Sequence, residues 1–126
     1  MTVLDASAVL AYLLDEPGAE LVADRLPGSL LSAVNAAEIL SRLYDRGMDS
    51  PGPQQMLVAL GCEVVDFDSG LAEASAELRA ATRSQGLSLG DRACLALSIR
   101  EDAPVLTADR IWSRLPLDLT IEVLRP

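Results

Sequence analysis

Along the chain, short apolar runs alternate with longer segments whose apolar positions recur every three or four residues, and Gly or Pro marks most of the joins. Residues 2–4 read as a strand that leads straight into an apolar helix over 6–14, stopped near Pro17 and Gly18. A helix over 19–26 ends before Pro27 and Gly28, and residues 29–32 form a second strand. Ala36, Ile39, Leu40 and Leu43 then fall at i, i+3, i+4 and i+7, the stripe of a helix that ends near Gly47. Residues 49–53 are a loop, 54–60 a short helix capped by Gly61, and 63–67 a strand. An Ala-rich helix follows over 71–84, with Asp68 as its N-cap. Ser88 opens a helix that is apolar on nearly every side and reaches Arg100, the pattern of a central, buried element. Residues 104–106, 110–115 and 120–124 complete the chain as strand, short helix and strand. Strands alternating with helices predict an α/β domain, a parallel central sheet flanked by helices. In such domains ligands bind beyond the carboxyl ends of the strands.

Composition changes the picture mainly by what it lacks. The 126 residues suffice for a single domain, 1–126, with one Phe, one Trp and two Tyr, so the core is aliphatic and Trp112 is expected to plug it behind the last short helix. No apolar run approaches the ~18 residues of a membrane span, and the N-terminus lacks a basic signal-peptide start, which predicts a cytoplasmic protein with no membrane contact. Two cysteines, Cys62 and Cys94, are too few for a disulfide framework or a zinc site and read as buried free thiols. There is no histidine, and all ten basic residues are arginines. That removes imidazole acid–base catalysis, Ser-His-Asp triads, lysine Schiff bases and P-loops. What is left for chemistry is carboxylates, hydroxyls, arginine and a metal.

Four acids stand in or at the lip of strongly apolar segments: Asp5 in T-V-L-D-A-S-A, Glu38 in S-A-V-N-A-A-E-I-L, Asp91 in S-L-G-D-R-A-C-L, and Asp109 in P-V-L-T-A-D-R-I-W. A carboxylate near a dry core must be paired, hydrogen-bonded or metal-bound, because desolvating an isolated charge is too costly. An all-oxygen cluster suits Mg²⁺, or Mn²⁺, rather than zinc. Each acid also has an ordinary reading. Asp5 and Asp109 can cap the helices after them, Glu38 can pair with Arg42 one turn on, and Asp91 stands at capping-box spacing from Ser88. Their common position at helix starts on one sheet edge is what points to a shared site. The net charge of −9 disfavours tight, non-specific duplex binding. These four acids carry a large part of that charge, leaving −5 for the rest, and two divalent ions would offset them.

With these segments together, the chain resembles the PIN-domain nucleases, and in size the VapC-type toxins of toxin–antitoxin pairs. The resemblance runs from Val3 to Val123 and rests on Asp-x-Ser first, N-A-A-E, L-S-L-G-D-R-A, and Thr-x-Asp last. It implies a three-layer PIN-like fold and a metal-dependent endoribonuclease in which Asp5, Glu38, Asp91 and Asp109 hold the Mg²⁺ and carry catalysis. Ser7, Asn35 and Thr107 take the supporting hydroxyl and amide positions, and Arg92 and Arg110 are candidates for holding substrate phosphates or for outward salt bridges. It further implies hydrolysis by water at a two-metal centre, with the ions ~3.5–4 Å apart, leaving 5′-phosphate and 3′-hydroxyl ends. A homodimer is implied, as is a cognate antitoxin whose tail covers the cleft, with an inserted arginine as the expected plug. Some relatives carry a further acid just after the third; Arg92, Ala93 and Cys94 supply none here, so the number of ions is open. Two other classes stay open at this stage: a small metal-dependent phosphohydrolase of another substrate class, and a catalytically silent PIN-like binding module.

Overall fold

Strand residues point alternately to opposite faces of a sheet, and in this chain that alternation divides the core in two. The computed structural model describes residues 1–125. Its strands are β1 (Val3–Leu4), β2 (Leu30–Ser32), β3 (Glu63–Val65), β4 (Val105–Thr107) and β5 (Ile121–Val123), all parallel in the order β3-β2-β1-β4-β5. Val3, Leu30 and Val105 pack on one side, and Leu4, Leu31 and Leu106 on the other. Helices α1 (Ala6–Leu13), α2 (Ala19–Arg25), α3 (Ala33–Asp45) and α4 (Gly52–Ala59) supply the second side. Helices α5 (Ser69–Thr82) and α6 (Leu89–Glu101), with the 3₁₀ helix Arg110–Arg114, supply the first. The result is the three-layer α/β architecture the sequence predicts. Apolar residues on both faces of β1, β2 and β4 are what a parallel sheet covered twice requires.

Every predicted element is present, with shifted ends. Helix α1 stops at Leu13, well before Pro17, because Leu14 leaves helical geometry and Asp15 takes a positive φ of 53°. Helix α4 starts two residues early, at Gly52, since a proline in a helix's first turn has no N–H to lose. The Ala-rich helix passes at Thr82 into a 3₁₀ turn, Arg83–Gln85, which ends on Gly86 at φ 64°. Trp112 is fully buried in the first core, as expected, and Asp68 caps α5 by accepting from Leu71 N. Cys94 is buried, whereas Cys62 is only half-buried, which corrects the expectation of two interior thiols. Among the described residues no helix is long and apolar enough to cross a membrane.

Helix α6 is the central element, with Gly90 and every residue from Arg92 to Ser98 buried. Its start is fixed by a complete capping box. Ser88 Oγ accepts from Asp91 N at 3.2 Å, and Asp91 Oδ2 accepts from Ser88 N at 3.0 Å. Ser88→Ala is expected to cost about 1 kcal/mol, read as a lowered urea midpoint at unchanged slope; an unmoved midpoint would mean the box contributes nothing.

The sheet order places one crevice apart from the rest. From β1 the chain steps outward to β2 and β3, then crosses to β4 and β5 on the other side of β1. The carboxyl ends of β1 and β4 therefore flank the point where the winding reverses, the position at which open α/β sheets bind ligands.

Candidate active site

Asp5 directly follows β1, Thr107 ends β4, and Asp109 lies two residues beyond it, so all three stand over that crevice. Glu38 arrives on α3 and Asp91 in the first turn of α6. The structure brings all four acids to one open cleft of about 640 Å³, which Ser7 and Arg42 also line.

Asp5 is the buried member, 4% exposed. Its backbone occupies the N-cap position of α1, but its side chain does not cap the helix. Instead, Oδ2 accepts from Ser7 Oγ at 2.6 Å and from Thr107 Oγ1 at 2.9 Å. Each hydroxyl has a single proton, so with both donated to Asp5 the 3.2 Å approach of Ser7 to Thr107 is a contact rather than a bond. The hydroxyl oxygens are themselves held, Ser7 by Ala108 N at 3.0 Å and Thr107 by Asp109 N at 3.1 Å. Burial pushes the Asp5 pKa up to about 6, the two hydroxyl bonds pull against that, and the nearby charges of Asp91 and Glu38 add to the rise. Burial above all, with the charges of the same three acids adding to it, pushes the Cys94 thiol well above its ordinary range, so it stays protonated beneath the cleft.

The other acids are each held in turn. Glu38 is exposed and makes no ion pair with Arg42 among the described residues; Oε1 accepts from Asn35 Nδ2 at 2.7 Å. The buried Asn35 amide also donates to the carbonyl of Gly90 at 3.1 Å, tying α3 to α6, while its own Oδ1 is left without a protein donor. Asp91 forms the capping box through Oδ2, and Asp109 caps the 3₁₀ helix by accepting from Ile111 N through Oδ1 at 3.0 Å. Capping and site placement thus coexist for Asp91 and Asp109. All four carboxylates share one arrangement: one oxygen is held by a donor, and the other is uncommitted among the described residues. None has an arginine partner there.

Two residues depart from, or are missing from, the sequence reading. Arg92 is neither a phosphate holder nor an outward salt bridge. It is buried between α6 and α5, with Nη1 donating to the carbonyl of Ser75 at 3.0 Å. Gly90 is the residue the sequence reading passed over. A Cβ there would overlap the Glu38 carboxylate, so only glycine leaves the acid its seat. The available signal was a glycine in the first turn of a helix, which costs about 1 kcal/mol relative to Ala and so calls for a packing reason.

The donor set fits a hard divalent cation: oxygen ligands only, net negative, each with a lone-pair-bearing atom uncommitted. As they stand, no three acids among the described residues are gathered closely enough to share an ion. Mutual repulsion opposes that gathering, and Glu38, Asp91 and Asp109, which are more exposed than Asp5, would have to rotate to come together.

Comparisons with known proteins agree on the frame. The PIN-domain family model matches residues 2–117. No curated protein matches the chain. Among solved structures, a toxin–antitoxin complex from Klebsiella pneumoniae is similar at TM-score 0.78 and 16% identity, covering 99% of this chain and 98% of that one. VapBC2 from Rickettsia felis, bound to a promoter DNA fragment, is similar at TM-score 0.74 and 20% identity over 97% of each chain. FitAcB from Neisseria gonorrhoeae follows at TM-score 0.70 and 22% identity over 98% of each. At these identities the likeness to solved structures is one of fold. The family match is a likeness of sequence over nearly the whole length, and by it the chain belongs to the PIN-domain family.

Proposed function

We propose that this protein is a Mg²⁺-dependent endoribonuclease and the toxin of a toxin–antitoxin pair. The observation that carries the reading is the shared arrangement of Asp5, Glu38, Asp91 and Asp109, each anchored through one oxygen with the other uncommitted, around a single cleft. These four would hold Mg²⁺, or Mn²⁺. Bound there, such an ion supplies positive charge to the phosphodiester oxygens and makes water nucleophilic at neutral pH.

The chain's own residues set the conditions for that chemistry. Ser7 and Thr107 fix the Asp5 carboxylate by two short bonds, so its free oxygen has one orientation. Asn35 anchors Glu38 by a single bond and reaches the Gly90 carbonyl across the α3–α6 boundary with the same amide. With no histidine or lysine anywhere, no imidazole is present to draw a proton from a ribose 2′-hydroxyl, and the reading is hydrolysis by water. The toxin assignment is supported by the likeness to a toxin–antitoxin complex and to VapBC2. A cognate antitoxin that covers the cleft and a homodimer belong to the same proposal.

The test is digestion of a 5′-labelled single-stranded RNA by the purified protein with Mg²⁺, with Mn²⁺ and with chelator. Expected are internal cuts only with metal, leaving 5′-phosphate and 3′-hydroxyl ends. Cuts that persist in chelator, or 2′,3′-cyclic phosphate ends, are incompatible with the proposal. Hydrolysis of a small phosphoester with RNA left intact would move the protein to another substrate class.

A further inference from the structure

Next to the acid cleft lies a groove of opposite character. It has a volume of about 380 Å³ and is lined by Arg110, Ser113, Arg114, Val123 and Arg125, with no acid among them. In a chain of net charge −9, three of ten arginines on one groove, of which only Arg125 has a carboxylate near it, make a local concentration of positive charge. The other arginines are of two kinds: Arg42, Arg46, Arg79 and Arg83 make no ion pair among the described residues, and three are committed. Arg25 is paired with Glu122, Arg100 with Asp68 and Glu101, and Arg92 is interior. Arg110 and Arg114 are exposed and make neither an ion pair nor a side-chain hydrogen bond among the described residues. Arg125 is more tied down, donating to the carbonyl of Pro17 and lying 3.9 Å from Glu16.

The sheet fixes where this groove lies. Val123, in its lining, is the register partner of Thr107, whose hydroxyl holds Asp5. Leu124 N extends the pairing to the carbonyl of Thr107. The groove therefore begins one strand, roughly 5 Å, beyond β4 and two strands beyond β1 along the same carboxyl edge, and Arg110 follows Asp109 directly in the chain. Ser113 Oγ donates to the Arg110 carbonyl at 2.8 Å, which fixes the turn that carries both free guanidinium groups.

We infer that this groove, resting on the nuclease reading above, holds the phosphates of the RNA strand next to the one being cut. Planar guanidinium forks grip phosphate oxygens in pairs. The arrangement also resolves the conflict between an acidic protein and a polyanionic substrate. The acids face one phosphate, through metal, while free arginines further along the carboxyl edge take the neighbours and set the direction of the chain across the site.

The test measures binding of a fluorescent single-stranded RNA across a salt series, in the Asp5→Asn background so that nothing is cut. Arg110→Ala combined with Arg114→Ala should lower affinity and flatten the slope of log K against log salt by about 1.4, or ~0.7 per lost contact. An equal charge loss elsewhere, Arg79→Ala with Arg83→Ala, should leave the slope as in the parent. The groove assignment is overturned if the first double variant binds with the parent's affinity and slope, or if the second flattens it equally. Should the first variant lose duplex DNA but keep RNA, the groove belongs to DNA and the assignment to RNA is wrong. A parent protein that binds no RNA overturns the nuclease reading itself, and the groove assignment with it. Melting curves check that the exposed substitutions leave the fold unchanged.

Discussion

Asp5→Asn is expected to reduce metal-dependent RNA cleavage by more than ~100-fold while making the metal-free protein more stable. The first effect follows from the site. Removing a group that merely orients a metal ligand typically costs 10–100-fold, and the ligand itself should cost more. The second follows from burial. Asp5 has a pKa of about 6 in the fold against an ordinary value of 3.8, so the folded state holds its proton more tightly than the unfolded chain does. For an acid raised in this way, the penalty is fully present above pH 6 and fades as pH falls toward 4; it amounts to about 3 kcal/mol at neutral pH. Glu122 runs the other way. Its bond to Arg25 holds its pKa below 4.5, so its contribution is lost only at lower pH, which leaves the window between 4.5 and 6 to Asp5. In chelator, the melting temperature of the parent should rise as pH is lowered through that window, and that of Asp5→Asn should start higher and rise less. The asparagine keeps an oxygen for Ser7 and Thr107, so the fold is not otherwise disturbed. Added Mg²⁺ should stabilise the parent and hardly move the variant. Parallel pH curves for the two proteins would show that Asp5 is not the strained group.

Gly90→Ala is expected to cost about 10–100-fold in cleavage with little change in stability. The added methyl lands on the Glu38 carboxylate, which is the far end of an exposed, flexible side chain and can swing aside cheaply. In doing so it gives up its bond to Asn35. Alanine is also the better helix former by about 1 kcal/mol, so the helix itself is not weakened and a loss of activity cannot be put down to unfolding. The measurement is cleavage rate beside the Mg²⁺-induced shift in melting temperature; both should fall together. Full activity with an intact metal shift would mean that Glu38 does not need this seat.

The contrast between Asp5 and Gly90 shows what sequence could and could not convey. The strands were legible because β1, β2 and β4 are apolar on both faces, which only a doubly covered parallel sheet explains. The four acids were legible because each interrupts an apolar segment, Asp5 and Asp109 just past strands and Asp91 and Glu38 in the first turns of helices. Arg92 was misread for a specific reason. Helix α6 is apolar on every side, so its periodicity does not distinguish an inward position from an outward one, and a guanidinium that enters the interior to reach the Ser75 carbonyl leaves no mark in the pattern. The fit of Gly90 to Glu38 joins residues 52 positions apart, and the split of each carboxylate into a held and an uncommitted oxygen is a matter of rotamers. Neither is written in spacing.

The bond from Thr107 to Asp5 spans 102 positions of the chain. A site assembled from the first strand and the fourth does not form gradually during synthesis. While the ribosome has made only β1 to α6, Asp5 has neither its β4 neighbour nor one of its two hydroxyl donors, and Asp109 does not yet exist. Closure must wait for a long-range parallel pairing, a slow class of folding event. On the nuclease reading, the nascent polypeptide is harmless to the RNA that surrounds it, and the danger begins only once β4 and Asp109 have been made and have paired. That delay leaves time for an inhibitor to be present first.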